Sequence, residues 1–169
     1  MASWRAGRPP GPLSSLGLIT VCAVVAVDQA TKLWATAALP AGRAIDLLPI
    51  LALLRVENTG IAFSIFAGSG VPLVLVSLVV TAAVIAFWLT ARDGGQIAAA
   101  GFALILGGAL GNLIDRLFRA PGFLSGEVVD FVRVGAFPTF NVADSAVTIG
   151  AVLLLVWGWR DRDERRDSG

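Results

Sequence analysis

Apolar residues in this chain gather into four long runs, at about 16–35, 71–91, 97–117 and 141–159. A hydrocarbon core of about 30 Å needs roughly 20 apolar residues in a helix, so each run predicts a membrane-spanning helix. Only Arg92-Asp93-Gly94-Gly95-Gln96 separates the second run from the third, the tight polar turn of a helical hairpin. Two longer connections differ in character. Residues 37–70 carry Pro40, Pro49, Gly60, Gly68 and Gly70, and residues 118–140 carry Pro121, Gly122, Gly126, Gly135 and Pro138. Segment 44–56 is apolar, yet Pro49 interrupts it and it is too short to span. It is therefore expected to be extended or interfacial. The β-branched alternation from Glu127 to Val134 is strand-like. No internal repeat occurs, and no low-complexity tract beyond the charged tail at 160–169.

Composition agrees with that pattern. The chain is 56% hydrophobic and 15% charged, with a mean hydropathy of +0.80. A soluble domain averages roughly 25% charged residues, so these few cannot cover a water-facing surface. The expectation is a single all-α integral membrane domain, 1–169. A net charge of +1 gives no electrostatic case for nucleic acid. Histidine is absent, which removes His-based triads, His general bases and ordinary His metal sites. The single Cys22 lies in an apolar run and is read as a packing residue. Orientation follows from the basic residues near the span ends. Arg5, Arg8, Arg92, Arg160, Arg162, Arg165 and Arg166 occupy three short segments on one side, which places both termini in the cytoplasm. The longer connections carry Arg43, Arg55, Arg119 and Arg133 and belong outside. A cleaved signal peptide over residues 1–27 is disfavoured, because the apolar run continues through Asp28 and Lys32 to Ala35 without a clear cleavage site.

Charges at membrane depth are costly and mark functional sites by default. Asp28 and Lys32, four apart, share one helical face, and the simplest reading is a structural ion pair near the outer interface with Lys32 snorkelling. Gly107 and Gly111 have the spacing that permits close helix approach. Gly108, Asn112 and Arg116 form a parallel small, polar and cationic stripe, and an arginine fork beside an amide suits a carbonyl or carboxylate. Asn141 opens the fourth span, where capping the helix and serving a site are equally good readings. Asp144 lies one turn inside, and function is the better reading there. Asp130 sits in a connection whose flanks, Val128-Val129 and Phe131-Val132, argue for packing onto the bundle. Glu57-Asn58-Thr59-Gly60 is by composition a turn, in which Gly60 permits tight geometry and Asn58 can bond neighbouring peptides.

Five motifs together carry a resemblance. They are Asp28 with Lys32, Asn58-Thr59-Gly60-Ile61-Ala62-Phe63, Gly111-Asn112-Leu113-Ile114-Asp115-Arg116, Val128-Val129-Asp130-Phe131, and Phe140-Asn141-Val142-Ala143-Asp144. In this order, over about residues 15–158, the chain resembles the lipoprotein signal peptidase (signal peptidase II) family. The resemblance implies a four-transmembrane-helix bundle with a small extracytoplasmic β-rich platform in the bacterial cytoplasmic (inner) membrane. It implies an aspartyl endopeptidase that removes signal peptides from prolipoproteins by cutting before a diacylglyceryl-modified cysteine. By matching position, Asp130 and Asp144 would be the catalytic pair. Asn58, Gly60, Gly108, Asn112, Arg116 and Asn141 would line the site, supported by Asp28, Lys32 and Asp115.

The residue chemistry allows this without a metal or cofactor. Two carboxylates in a low-dielectric pocket cannot both ionise easily, so they share a proton. One activates a water, and the other hydrogen-bonds the scissile carbonyl. Which begins ionised is open at this stage. The expected partners are a lipid-modified prolipoprotein and membrane lipid, with the enzyme acting as a monomer. Two rival readings remain. A proton-coupled small membrane transporter subunit also uses intramembrane acids, but these acids cluster at one mouth. A Ser–Lys peptidase would use Lys32 with Ser64 or Ser145.

Overall fold

The computed structural model describes residues 14–59, 70–91 and 95–167. Four helices and three strands follow one another among the described residues, as α1 (Ser15–Ala38), β1 (Ile45–Leu48), β2 (Leu51–Asn58), α2 (Gly70–Thr90), α3 (Gly95–Phe118), β3 (Val128–Val134) and α4 (Val142–Asp167). Among the described residues, α1, α3 and residues 142–160 of α4 are long and apolar enough to cross a membrane. In α2 the described stretch Val74–Thr90 is likewise apolar. The expected spans thus coincide with helices, and their ends follow local chemistry. Ser14 caps α1 by accepting the Gly17 N–H at 3.1 Å. At the other end Leu39 is extended, as a residue before proline must be, and Pro40 stops the helix.

α3 is the centre of the bundle. It packs against α1, α2 and α4, and 56% of its most apolar window is buried, against 22% in α1 and 17% in α4. At one end Phe102 stacks on Trp88 with ring centroids 5.8 Å apart and meets Trp157 edge-on. Around them Val21, Ala98, Ala103 and Leu106 complete a buried cluster. Large apolar side chains such as Ile19, Leu33, Val79, Leu155 and Trp159 stay on the outside of the bundle. In water such exposure would be a liability; a bilayer solvates it.

The strands form one antiparallel sheet in the order β1-β2-β3. Val56 pairs with Asp130 and Asn58 with Val128, beyond an irregularity between Leu53 and Val56 that re-aims the strand. Alternation along β3 gives its residues two destinations. Val129 and Phe131 pack with Ala35 and Leu39 at the end of α1, and Trp34 meets Phe131 edge-on at 6.2 Å. Val128 and Asp130 point the other way, into a cavity. Segment 44–56 is therefore extended, and the alternating segment 127–134 is strand for nearly its whole length. One boundary differs from expectation. The stretch read as a charged tail continues α4 to Asp167, since residues 159–167 contain no glycine or proline and several good helix formers.

Candidate active site

A cavity of about 470 Å³ opens where α2, α3 and α4 meet the sheet. Asp130, Asp144, Asn58, Asn112 and Arg116 all line it. Asp144 is placed by the start of α4. Its backbone N–H donates to Asn141 Oδ1 at 2.9 Å, while its own Oδ2 accepts the Asn141 N–H at 3.2 Å. This reciprocal exchange is a capping box with an aspartate at its third helical position. The helix terminus thereby holds a carboxylate where the dipole welcomes it.

Asn141 also faces the other acid, since its Nδ2 donates to Asp130 Oδ1 at 2.7 Å. The same side chain is thus both helix cap and bridge between the two aspartates. Asn58, at the end of β2, donates to Asp130 Oδ2 at 3.0 Å. Asn112 of α3 donates to Asp144 Oδ1 at 2.9 Å. Among the described residues, each carboxylate therefore meets an N–H donor at each of its oxygens. Asp130 is only 2% exposed. Burial pushes its carboxyl up to about 7, and the neighbouring Asp144 charge adds to the rise. The Asn58 and Asn141 donors and the Lys32 charge oppose it.

Behind this front lies a second layer whose centre, Asp28, Lys32 and Asp115, is fully buried. Lys32 is 0% exposed, so it does not snorkel. Its ammonium lies 2.8 Å from Asp28 Oδ2, 2.7 Å from Asp115 Oδ2 and 2.8 Å from Asn112 Oδ1. The Asp115 contact is an ion pair without hydrogen-bond alignment. Arg119 Nε reaches Asp115 Oδ1 at 2.6 Å, so two acids face two bases. Asp28 Oδ1 accepts the Ala143 N–H at 3.0 Å, which satisfies a further donor of α4's first turn. Gln29 Nε2 lies 3.1 Å from Asp28, Asp115 and the Gly111 carbonyl. The pair read as a local ion pair in α1 is in fact the hub joining α1, α3 and α4.

Of the other expected site residues, Arg116 is 7% exposed and lines the cavity. Gly108 does not line it. A Cβ there would strike the Ala143 carbonyl and lie 2.8 Å from Val147, so this glycine permits contact between α3 and α4. Gly111 does the same toward α1, where a Cβ would come within 2.6 Å of Asp28 Oδ2. Gly60 and Ser64 lie outside the described residues. Ser145 donates its hydroxyl to the Asn141 carbonyl at 3.0 Å, while Lys32 is engaged with two acids and an amide. Among the described residues, neither arrangement makes a Ser–Lys pair. Sequence reasoning missed Gln29 and Arg119. The signals were present, because Gln29 adjoins Asp28 within the apolar run and Arg119 follows Asp115 by one helical turn.

Similarity to known proteins agrees in extent and family. The family model for signal peptidase (SPase) II matches residues 20–160. A lipoprotein signal peptidase of Rhodococcus jostii (strain RHA1) is 46% identical over 153 residues, covering 88% of this chain and 76% of that protein. The lipoprotein signal peptidase of Mycobacterium avium (strain 104) is 43% identical over 150 residues, covering 88% of this chain and 81% of its own. A bacterial membrane enzyme solved by the in meso method at 2.3 Å superposes with a TM-score of 0.79 at 28% identity, covering 93% of this chain and 94% of that one. The chain belongs to the signal peptidase II family.

Proposed function

We propose that the protein is an aspartyl endopeptidase that removes signal peptides from diacylglyceryl-modified prolipoproteins, cutting just before the lipidated cysteine. The observation that carries this reading is the placement of Asp130 and Asp144 in one cavity at the end of an apolar bundle, bridged by Asn141. Two carboxylates so placed share a proton. The ionised member takes a proton from a water that attacks the scissile carbonyl carbon. The protonated member hydrogen-bonds the carbonyl oxygen and then protonates the leaving amine, and the pair regains its shared proton. Asn58, Asn112 and Asn141 hold the carboxylates. The Arg116 guanidinium, on the cavity wall, suits the carbonyls of the bound peptide.

The bundle spans the bacterial inner membrane as a single domain, α2 supplying the fourth span and both termini facing the cytoplasm. The cavity then opens at the extracytoplasmic face, where the acyl chains of the substrate remain in lipid while the peptide enters. Such confinement reduces the entropic cost of positioning. One copy of the chain carries every residue invoked, so the enzyme acts as a monomer.

The test is to incubate the purified protein with a diacylglyceryl-modified precursor and with its unmodified twin. Cleavage before the modified cysteine alone is expected. Equal cleavage of both would remove the lipid requirement, and cleavage of neither would remove the reading.

A further inference from the structure

We infer that Lys32 is a positioning residue that fixes the polarity of the Asn112 amide, so that Asp144 faces an N–H donor and never a carbonyl. The inference rests on the proposed peptidase reading and deepens it. A carboxamide is nearly symmetric in shape, and its neighbours decide which end is oxygen. The Lys32 ammonium can only donate, and it sits 2.8 Å from the oxygen of Asn112. The nitrogen of Asn112 must then point the other way, to Asp144 Oδ1 at 2.9 Å. Asn141 is fixed by a separate device, because the Asp144 backbone N–H can only donate to its oxygen. Asn141 Nδ2 is thereby left to face Asp130 at 2.7 Å and Asn112 Oδ1 at 3.2 Å.

The consequence concerns the proton. Without the ammonium, the Asn112 oxygen would keep only the longer donor from Asn141 Nδ2, at 3.2 Å, and its polarity lock would weaken. A flip would sacrifice its bond from Asn141 and present a carbonyl to Asp144. Protonated Asp144 could then donate to that carbonyl, and the shared proton would rest on the side away from the substrate. With Lys32 in place, Asn112 offers Asp144 no acceptor. The proton stays between the carboxylates and the reacting atoms. Lys32 itself touches neither aspartate of the pair within hydrogen-bond range; its charge reaches Asp130 at a distance, and its hydrogen bond acts through Asn112.

Lys32 also balances two buried acids, so the test separates charge from polarity. In an Asp28→Asn background, which removes one of those acids, Lys32→Met and Lys32→Gln are compared on the diacylglyceryl-modified precursor. Both are neutral, but only glutamine retains an N–H donor. Lys32→Met is expected to lower kcat by about 100-fold, the scale of a misplaced catalytic group, with KM changed less than about threefold. Lys32→Gln is expected to recover most of the loss. Equal kcat in the two variants, or a loss confined to KM, overturns the inference. Should neither variant fold, the near-isosteric Asn112→Asp decides. It keeps an acceptor for Lys32 but offers Asp144 no amide N–H, so a comparable fall in kcat is expected, and undiminished turnover overturns the inference. The unaltered protein in the same assay keeps the two readings apart. If it cuts while Lys32→Met cuts as fast, only the role of Lys32 fails. If it is inert, the peptidase reading fails and takes this inference with it.

Discussion

Asp130 and Asp144 differ in what holds them, and the difference is testable. Asp144 is part of a helix cap, whereas Asp130 is buried in a strand with amide donors on both oxygens. Replacing either by Asn is expected to lower kcat by on the order of 10³-fold or more, measured on the folded purified variants. Burial raises Asp130 from 3.8 to about 7, so its alkaline limb in kcat/KM should fall near pH 7. A profile flat well above that pH would remove Asp130 as the proton holder. The same shift has a stability consequence with a definite sign. The folded state binds the Asp130 proton more tightly than the unfolded chain, so this support is full below about pH 4 and is lost as pH rises through about 7. Thermal unfolding in detergent should therefore lose more stability between those values in the wild type than in Asp130→Asn. Asn141 shows why sequence alone left two readings for it. Capping and bridging require the same side chain, and only the position of Asp130 reveals the second task.

At the scale of elements, one helix start and one helix contact set the geometry. Asn112 rides on α3 and Asp144 on α4, so the separation of these helices sets their hydrogen bond. Gly108 lies at their contact with Ala143 and Val147. Gly108→Ala is expected to cost about 1–3 kcal/mol by overpacking and to lower activity by forcing the two residues apart. A thermal shift with unchanged turnover would show that the gap is tolerated. Asn141→Ala should cost about 1 kcal/mol through the lost cap, with a much larger effect on kcat because Asp130 loses a donor. Most helix boundaries were legible, since length, apolarity, Ser14, Pro40 and Asn141 are all local signals. The charged end of α4 was not, because high charge density alone does not distinguish a solvated helix from a coil. The strand at 128–134 was legible from its alternation. The destinations of its two faces were not.

For the molecule as a whole, the proposed topology predicts labelling. A cysteine placed at Gly169, in a chain with Cys22→Ser, should react with an impermeant maleimide only when the cytoplasmic face is opened. Labelling from the outer face of intact cells would invert the arrangement and move the cavity to the wrong side. What the sequence determined by itself is the inventory: apolar runs of spanning length, their polar interruptions, a chain without histidine, and motifs in the order of one family. These are properties of composition and spacing, which persist in an unfolded chain. Tertiary structure decided who meets whom. Lys32 and Asn112 lie 80 positions apart, Asp28 and the Ala143 N–H lie 115 apart, and Asn58 and Asp130 lie 72 apart. No local period encodes such pairings. They arise because small residues let α1, α3 and α4 approach closely in a setting where an unpaired charge is too costly to remain. Lys32 therefore turned inward, and the ion pair read within one helix became the hub behind two aspartates.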